Sequence, residues 1–402
     1  MLQLGTVVYR PNSYIFVEDT PATDYFLIIQ RGNVRCYHET FVPGSAPYML
    51  GAGDFVGVIS CMTGHTQNET VVAATDVIAI VVKRTQYSDL IAQNTSIAMK
   101  IVRAFAKNMR QVNDSLTRAT TNKTNIESSE QLYNIANFFE NNRNEDAAVY
   151  GYYQYLKKCP NGLYKDDAIR HFKALKPRTT QPYLEPDNAM LRGYNKGNMI
   201  FSESQPGAEM FIIQEGVVRI SKVVDGKEIT LALLKKGDMF GEMALLENKP
   251  RSACAIAHEA CKVMVVNRAN FDMMVSTQAQ LISRLTTTLA DRLWTMYRQL
   301  VNTQLSDPRE RMIDMLALQI ESKKISAPKG STCKTSFTPL DIFNLCALDE
   351  TTMPQTIALF SRDQNVRIVD NKIEVPELPA LIKQAAFYRK QNYKHSMEKN
   401  NM

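Results

Sequence analysis

Between Gly237 and Ala253 the chain brings together a carboxylate, a guanidinium and a helix start. Gly241 lets the backbone approach an anion closely. Met243, Ala244 and the residues after them open a helical turn whose first N–H groups lack intrahelical partners, and Arg251 presents a planar fork to two phosphate oxygens. Glu242 is an acceptor suited to a sugar hydroxyl, and Ser252 beside the arginine can hydrogen-bond a phosphate or the edge of a guanine. Together these groups fit a phosphate carried on a ribose. The competing use of the same residues is a β corner in which Glu242 and Arg251 pair only with each other.

The elements that must position this set are short strands. Met210–Ile220 and Ile229–Leu234 are apolar and β-branched runs broken by turn residues, at the close spacing of an all-β jelly roll. A second copy lies at the N-terminus: Ile29–Arg35 parallels Ile213–Arg219, and Gly53–Gly57 parallels Gly237–Gly241. Gly32 to Gly216 and Gly57 to Gly241 both span 184 residues, so the repeat predicts two folded units and not a solenoid. Carried through, that offset places Glu242 on Val58, Pro250 on Thr66 and Arg251 on Gln67. The first copy lacks both ligand groups. A phosphate buried there without a guanidinium would be uncompensated, so that copy is expected to be structural or an interaction surface.

Phe240-Gly241-Glu242 with Ala244-Leu245, a short loop, then Pro250-Arg251-Ser252-Ala253 resembles the phosphate-binding cassette of the cyclic nucleotide-binding domain family. The resemblance implies a cyclic nucleotide held by Gly241, Glu242, Met243, Ala244, Arg251 and Ser252. Cyclic AMP is the first choice and cyclic GMP stays open; no cofactor or metal is implied. It further implies that the helix expected over about 279–305, with Leu281, Leu285, Leu289, Leu293, Met296, Leu300 and Leu305 on one stripe, closes over the base. Trp294, Met296 and Tyr297 are then the candidate lid residues. In bacterial members this helix pairs two subunits, so a homodimer competes with packing inside one chain as the reason for the stripe.

Four segments follow. Residues 1–117 form the degenerate copy with its amphipathic helix from Ser96 toward Leu116. Residues 118–185 hold a polar linker, Thr120–Glu130, and a helical hairpin. Its Leu132, Ile135, Ala136, Phe139, Ala148, Tyr152 and Pro160 have the spacing of a tetratricopeptide repeat, from which Tyr155 departs. Leu132 to Phe172 is a candidate protein-docking surface. Residues 186–305 form the second copy, and 306–402 a C-terminal module. The expected fold class is therefore α+β and multidomain: two β-roll domains, a helical insert and a winged helix-turn-helix-like end.

In the C-terminal module the pattern predicts helices over 308–318, over 337–345 with Thr338 as cap, and over 349–360, then a two-stranded wing turned at Asp370-Asn371. This order after a cyclic nucleotide domain resembles the Crp/Fnr family of bacterial transcription regulators, over about residues 190–385. Thr351, Gln355, Arg362 and Arg367 are the candidate DNA-contacting residues. Three departures oppose DNA recognition. Glu350, Thr351 and Gln355 stand where the family has Arg, Glu and Arg; Phe343 stands where a small residue is usual; and Pro354 delays the recognition helix. Protein contact is the alternative use.

Composition bounds the remaining classes. The 402 residues, 45% hydrophobic and 22% charged, are those of a multidomain globular chain with net charge +6. No basic leader with an apolar core and no apolar run of about 18 residues occurs, which predicts a cytoplasmic protein without a membrane span. Seven cysteines form no C-x-x-C pair and five histidines show no metal spacing. No G-x-S-x-G or P-loop appears, and Glu242 with Arg251 is a binding pair without a nucleophile, so an enzyme is not expected. The basic residues Arg389, Lys390, Lys394 and Lys399 read as a solvated tail. The expected mechanism is a population shift, in which ligand free energy in the second β domain biases the C-terminal module.

Overall fold

The structure is a computed structural model that describes residues 3–38, 46–121, 130–185, 187–224, 226–323, 328 and 330–400. Residues 122–129 of the expected linker lie outside the described residues. Packing divides the chain into two units. One comprises Met1–Leu90, Gln111–Lys123 and Leu289–Met402, the other Ile91–Arg110 and Thr124–Thr288.

Each unit contains one β-sandwich built in the same order. In the first, strands Gly5–Tyr9, Val77–Lys83, Tyr25–Arg31 and Phe55–Val56 make one antiparallel sheet. Tyr14–Phe16, Thr70–Ala73, Val34–Tyr37 and Tyr48–Leu50 make the other. Alternating residues such as Leu27, Ile29, Val34, Cys36, Val77 and Ala79 meet between them. The second sandwich repeats both sheets: Glu209–Glu215 lies 184 residues after Tyr25–Arg31, Cys254–Ala257 after Thr70–Ala73, and Cys261–Asn267 after Val77–Lys83. The first long helix, Thr95–Thr121, and the second, Ala279–Asn302, start at the same interval. The first runs past the boundary expected at 117.

The insert is three helices, Gln131–Asn141, Glu145–Lys158 and Lys165–Leu175. Asn144 caps the middle one by accepting from the Ala147 N–H at 3.2 Å. Leu132, Ile135, Ala136, Phe139, Ala148 and Tyr152 all enter one core. Tyr155, the departure from the repeat pattern, is fully buried, and its hydroxyl accepts from the Tyr164 N–H at 2.9 Å. The apolar face of the insert is spent within its own unit, on Met199, Val223, Cys254 and Ile256 of the second sandwich. In strand Cys254–Ala257 the pleat sends Ala255 and Ala257 into the sandwich and Cys254 and Ile256 out under the insert, so every residue is buried. Leu132 to Phe172 is thus largely an internal contact and not a bare docking face.

Gly151 allows the first two insert helices to meet. A Cβ there would lie 2.9 Å from Ala136 Cβ. Gly151→Leu is expected to destabilise the second unit by ~1–3 kcal/mol through overpacking, read as a lower urea midpoint.

The C-terminal module has helices Pro308–Glu321, Pro339–Leu345 and Met353–Ser361 and a three-stranded sheet, Cys333–Lys334, Lys372–Val375 and Arg367–Val369. Thr338 and Asp341 form a reciprocal capping box. Asp370 and Asn371, at φ 49° and 59°, make the tight turn of the hairpin. Where one helix was expected over 349–360, a 3₁₀ turn, Glu350–Thr352, precedes the helix that carries Pro354 in its first turn. The segment expected as a solvated tail is helix Leu378–Asn400; Lys390 is exposed as expected, but Arg389 is buried. Asp314, fully buried, accepts from Arg389 Nη1 at 2.5 Å, Asn302 Nδ2 at 2.9 Å and Arg298 Nη2 at 3.3 Å. One carboxylate thereby joins the second long helix, helix Pro308–Glu321 and the terminal helix.

Candidate functional site

Gly241 sits at φ 76°, ψ 1°, the left-handed region open to glycine, and turns strand Met239–Phe240 into helix Glu242–Glu247. A Cβ at Gly241 would lie 2.8 Å from Arg251 Nη1 and 3.2 Å from Phe201 and Phe211, so the turn also needs glycine for space. Arg251 is only 6% exposed. Its Nη1 donates to the Gly241 carbonyl at 2.7 Å, and its guanidinium lies 4.2 Å from the centre of the Phe201 ring. Among the described residues Nε has no hydrogen-bond partner.

Burial pulls the Arg251 guanidinium down to about 10, against the opposing pull of Tyr150, Glu209 and Glu242. It therefore stays charged at neutral pH. A buried cation with a donor to spare is a strong pull on an incoming anion. Glu242 and Ala244 are buried beside it, and Ser252 Oγ lies 3.8 Å from Met243 Sδ. Gly241, Glu242 and Arg251 are thus brought together, with Met243, Ala244 and Ser252 on the same turn.

Residues far off in sequence fix this arginine. The Arg251 N–H donates to Gln205 O at 2.8 Å, and its carbonyl accepts from the Ser204 N–H at 2.9 Å. Gln205 Oε1 in turn accepts from the Tyr150 hydroxyl, at 3.0 Å, and from the Ser202 N–H. Gly207 is needed as well, since a Cβ there would come within 2.3 Å of Arg251 Nε. Sequence reading missed Tyr150, Gln205 and Gly207. Only Gly207 carried a local signal, as a glycine in the loop before strand Glu209–Glu215. A cavity of about 400 Å³ adjoins Arg251, lined by Tyr150, Tyr194, Phe201, Gln205 and Glu209.

The first sandwich keeps the turn and loses the chemistry. Gly57 has φ 76°, ψ 7° and leads into helix Val58–Thr63, whose first residue takes the place of Glu242. Gln67, in the place of Arg251, is buried, and its Nε2 has no hydrogen-bond partner among the described residues. The cavity beside it, lined by Trp294, Tyr297 and Arg298, holds about 20 Å³, room for one water and not for a nucleotide.

Two of the candidate lid residues make their ring contacts with the first sandwich. Trp294 stacks on His65 of the first sandwich, with centroids 3.8 Å apart and planes 9° from parallel. Tyr297 packs on His38 at 5.4 Å, and Met296 is half-buried. From Leu289 onward the second long helix belongs to the unit of the first sandwich, on which Trp294 and Tyr297 pack.

Of the C-terminal candidates, Thr351, Gln355, Arg362 and Arg367 are all exposed, on the 3₁₀ turn, the following helix, its C-cap and the hairpin. Exposed beside them are Leu359, Ile368 and Val369. Among the described residues no group of His, Cys, Asp or Glu could hold a metal ion, and no helix is long and apolar enough to cross a membrane. All seven cysteines are buried thiols.

The sequence pattern of the cyclic nucleotide-binding domain matches residues 6–94 and 191–278, the two sandwiches. Over 103 residues the chain is 34% identical to the cAMP-dependent protein kinase regulatory subunit of Mycosarcoma maydis, covering 24% of this chain and 20% of that protein. Over 203 residues it is 25% identical to the cyclic AMP receptor protein of Thermus thermophilus, covering 49% of this chain and 88% of that protein. Over 93 residues it is 36% identical to human cGMP-dependent protein kinase 2, covering 22% and 12%. The chain spans only a fifth or less of the two kinase-related proteins. It carries two cyclic nucleotide-binding domains and is related to Crp-like regulators and to kinase regulatory subunits.

Proposed function

We propose that this chain, with two cyclic nucleotide-binding domains, is a non-enzymatic sensor that binds one cyclic nucleotide in the second. The observation that carries this reading is the contrast at one position of the repeat. Arg251 is a buried cation with an unpartnered Nε, whereas Gln67 is neutral and lies beside a cavity of about 20 Å³. Gly241, Glu242, Met243, Ala244, Arg251 and Ser252 are the ligand-binding residues in this reading. Cyclic AMP is the favoured ligand, in keeping with the names of the fungal and Thermus relatives. Ser252 and the kinase relative named for cGMP keep cyclic GMP as the competitor to test.

The output in this reading is that of a Crp/Fnr-like transcription regulator. Ligand orders the Gly241–Arg251 turn, and the second long helix, continuous from Ala279 to Asn302, carries the bias toward a winged-helix module. A cytoplasmic location accords with this role. The second reading is a nucleotide-responsive protein scaffold, with the insert as a tetratricopeptide-like element. It is favoured by the exposure of the apolar side chains Leu359, Ile368 and Val369, close in sequence to the exposed Thr351 and Gln355.

Isothermal titration with cyclic AMP and cyclic GMP tests the sensor: one site per chain supports it, and no heat with either removes it. Salt separates the outputs. Specific DNA binding should weaken by about tenfold or more between 50 and 200 mM salt, and neutralising Arg362 and Arg367 should flatten that slope. A scaffold shows neither response.

A further inference from the structure

We propose that Arg110, on the helix that follows the first sandwich, is a positioning residue for the phosphate-binding turn of the second. The proposal rests on the sensor reading and adds a residue that no cassette pattern contains. Within the second unit, Arg110 Nε donates to Glu247 Oε2 at 2.5 Å and Nη2 donates to the Pro250 carbonyl at 3.1 Å. The side chains are 11% and 9% exposed, so solvent screens this pair far less than a surface ion pair.

The two acceptors bracket the turn. Glu247 is the last residue of the helix that Gly241 starts, and Pro250 is the residue before Arg251. The peptide unit between Pro250 and Arg251 is consequently gripped at both ends. Its carbonyl accepts from Arg110, and its N–H donates to Gln205 O. A peptide plane fixed at both ends fixes the Cα from which the Arg251 guanidinium is aimed.

The repeat gives this contact a counterpart. Trp294 follows Arg110 by 184 residues, the interval of the repeat, and stacks on His65 in the turn after helix Val58–Thr63. The same position of each long helix therefore reaches the turn of the other sandwich. In the silent copy that position carries a ring that packs beside the turn. In the binding copy it carries a forked cation that holds the turn. Delivering Arg110 gives the silent sandwich's helix a use at the binding site.

The test uses the full chain as wild type, Arg110→Ala, Arg110→Lys and, as a control for charge alone, Arg103→Ala, which removes an exposed cation of the same helix. Hydrogen exchange of peptides within 242–253 is followed without ligand, and cyclic AMP and cyclic GMP are titrated in parallel. Arg110→Ala should speed exchange in 242–253 and weaken nucleotide binding, each by about tenfold, the worth of one charge-assisted hydrogen bond. Arg110→Lys, which cannot fork to both acceptors, should fall between. Exchange and affinity unchanged in Arg110→Ala, or equally weakened in Arg103→Ala, would overturn the proposal. Faster exchange spread over the whole second unit would make Arg110 an ordinary packing residue and would also overturn it. A wild-type chain that takes up neither nucleotide defeats the sensor reading, while the exchange arm still decides whether Arg110 holds the turn.

Discussion

Arg251→Ala is expected to weaken cyclic nucleotide binding by roughly 100- to 1000-fold, because two charge-assisted hydrogen bonds to a phosphate are lost from a desolvated site. Titration calorimetry reads this directly. The fold should survive, since the guanidinium makes a hydrogen bond to Gly241 O and a ring contact to Phe201 but leaves Nε unsatisfied. Gln67→Ala, at the equivalent position of the first sandwich, should leave affinity and stoichiometry unchanged. An equal loss in both variants would mean that the first sandwich is not silent and that the cavity beside Gln67 opens in solution.

Asp314→Asn is expected to cost ~3–5 kcal/mol of stability, the penalty for leaving buried cations without their counter-charge. Of the carboxylates among the described residues, Arg389 would keep Asp19, at 4.0 Å, and Arg298 would keep Glu321, at 3.0 Å. Urea unfolding followed by the fluorescence of Trp294 suits the measurement, because this tryptophan lies in the same unit. The pH dependence has a definite sign. Arg389 and Arg298 hold the Asp314 carboxyl below its ordinary value of 3.8, outweighing the burial that would raise it. The stabilisation is therefore complete above that ordinary value and is lost as pH falls through the lower folded one. Asp314→Asn should erase this acid sensitivity, so wild type and variant should converge in stability at low pH.

The parts of the molecule that could be read from sequence are those whose causes are local. Gly241 and its counterpart Gly57 mark the turn before a helix, Thr338 a helix start, and Asp370-Asn371 the turn of a hairpin. The fixed interval of the repeat exposed the loss at Val58 and Gln67 without any structure. The partner of each long helix could not be read in this way. A leucine stripe states that a helix face is covered, not what covers it, so Trp294 and Tyr297 were expected over the second sandwich and lie on the first. The terminal helix was hidden for a related reason. Its lysines suit water, and the burial of Arg389 depends on Asp314, 75 residues earlier. Arg110, Tyr150 and Gln205 act on the site from far off in the chain, where no motif around Arg251 could register them.

The insert's cover over Cys254 and Ile256 sets a lower limit on how far the chain can be trimmed for crystallography or calorimetry. A piece begun at residue 186, where the second β domain starts in sequence, would turn the outer side of one sheet, with Met199 and Val223, out to solvent. Such a piece should aggregate through this apolar face. It would also lack the Tyr150 hydroxyl that holds Gln205 against the Arg251 backbone. Keeping both requires a start no later than the first insert helix, at Gln131, and keeping Arg110 as well moves the start back to the first long helix, Thr95–Thr121.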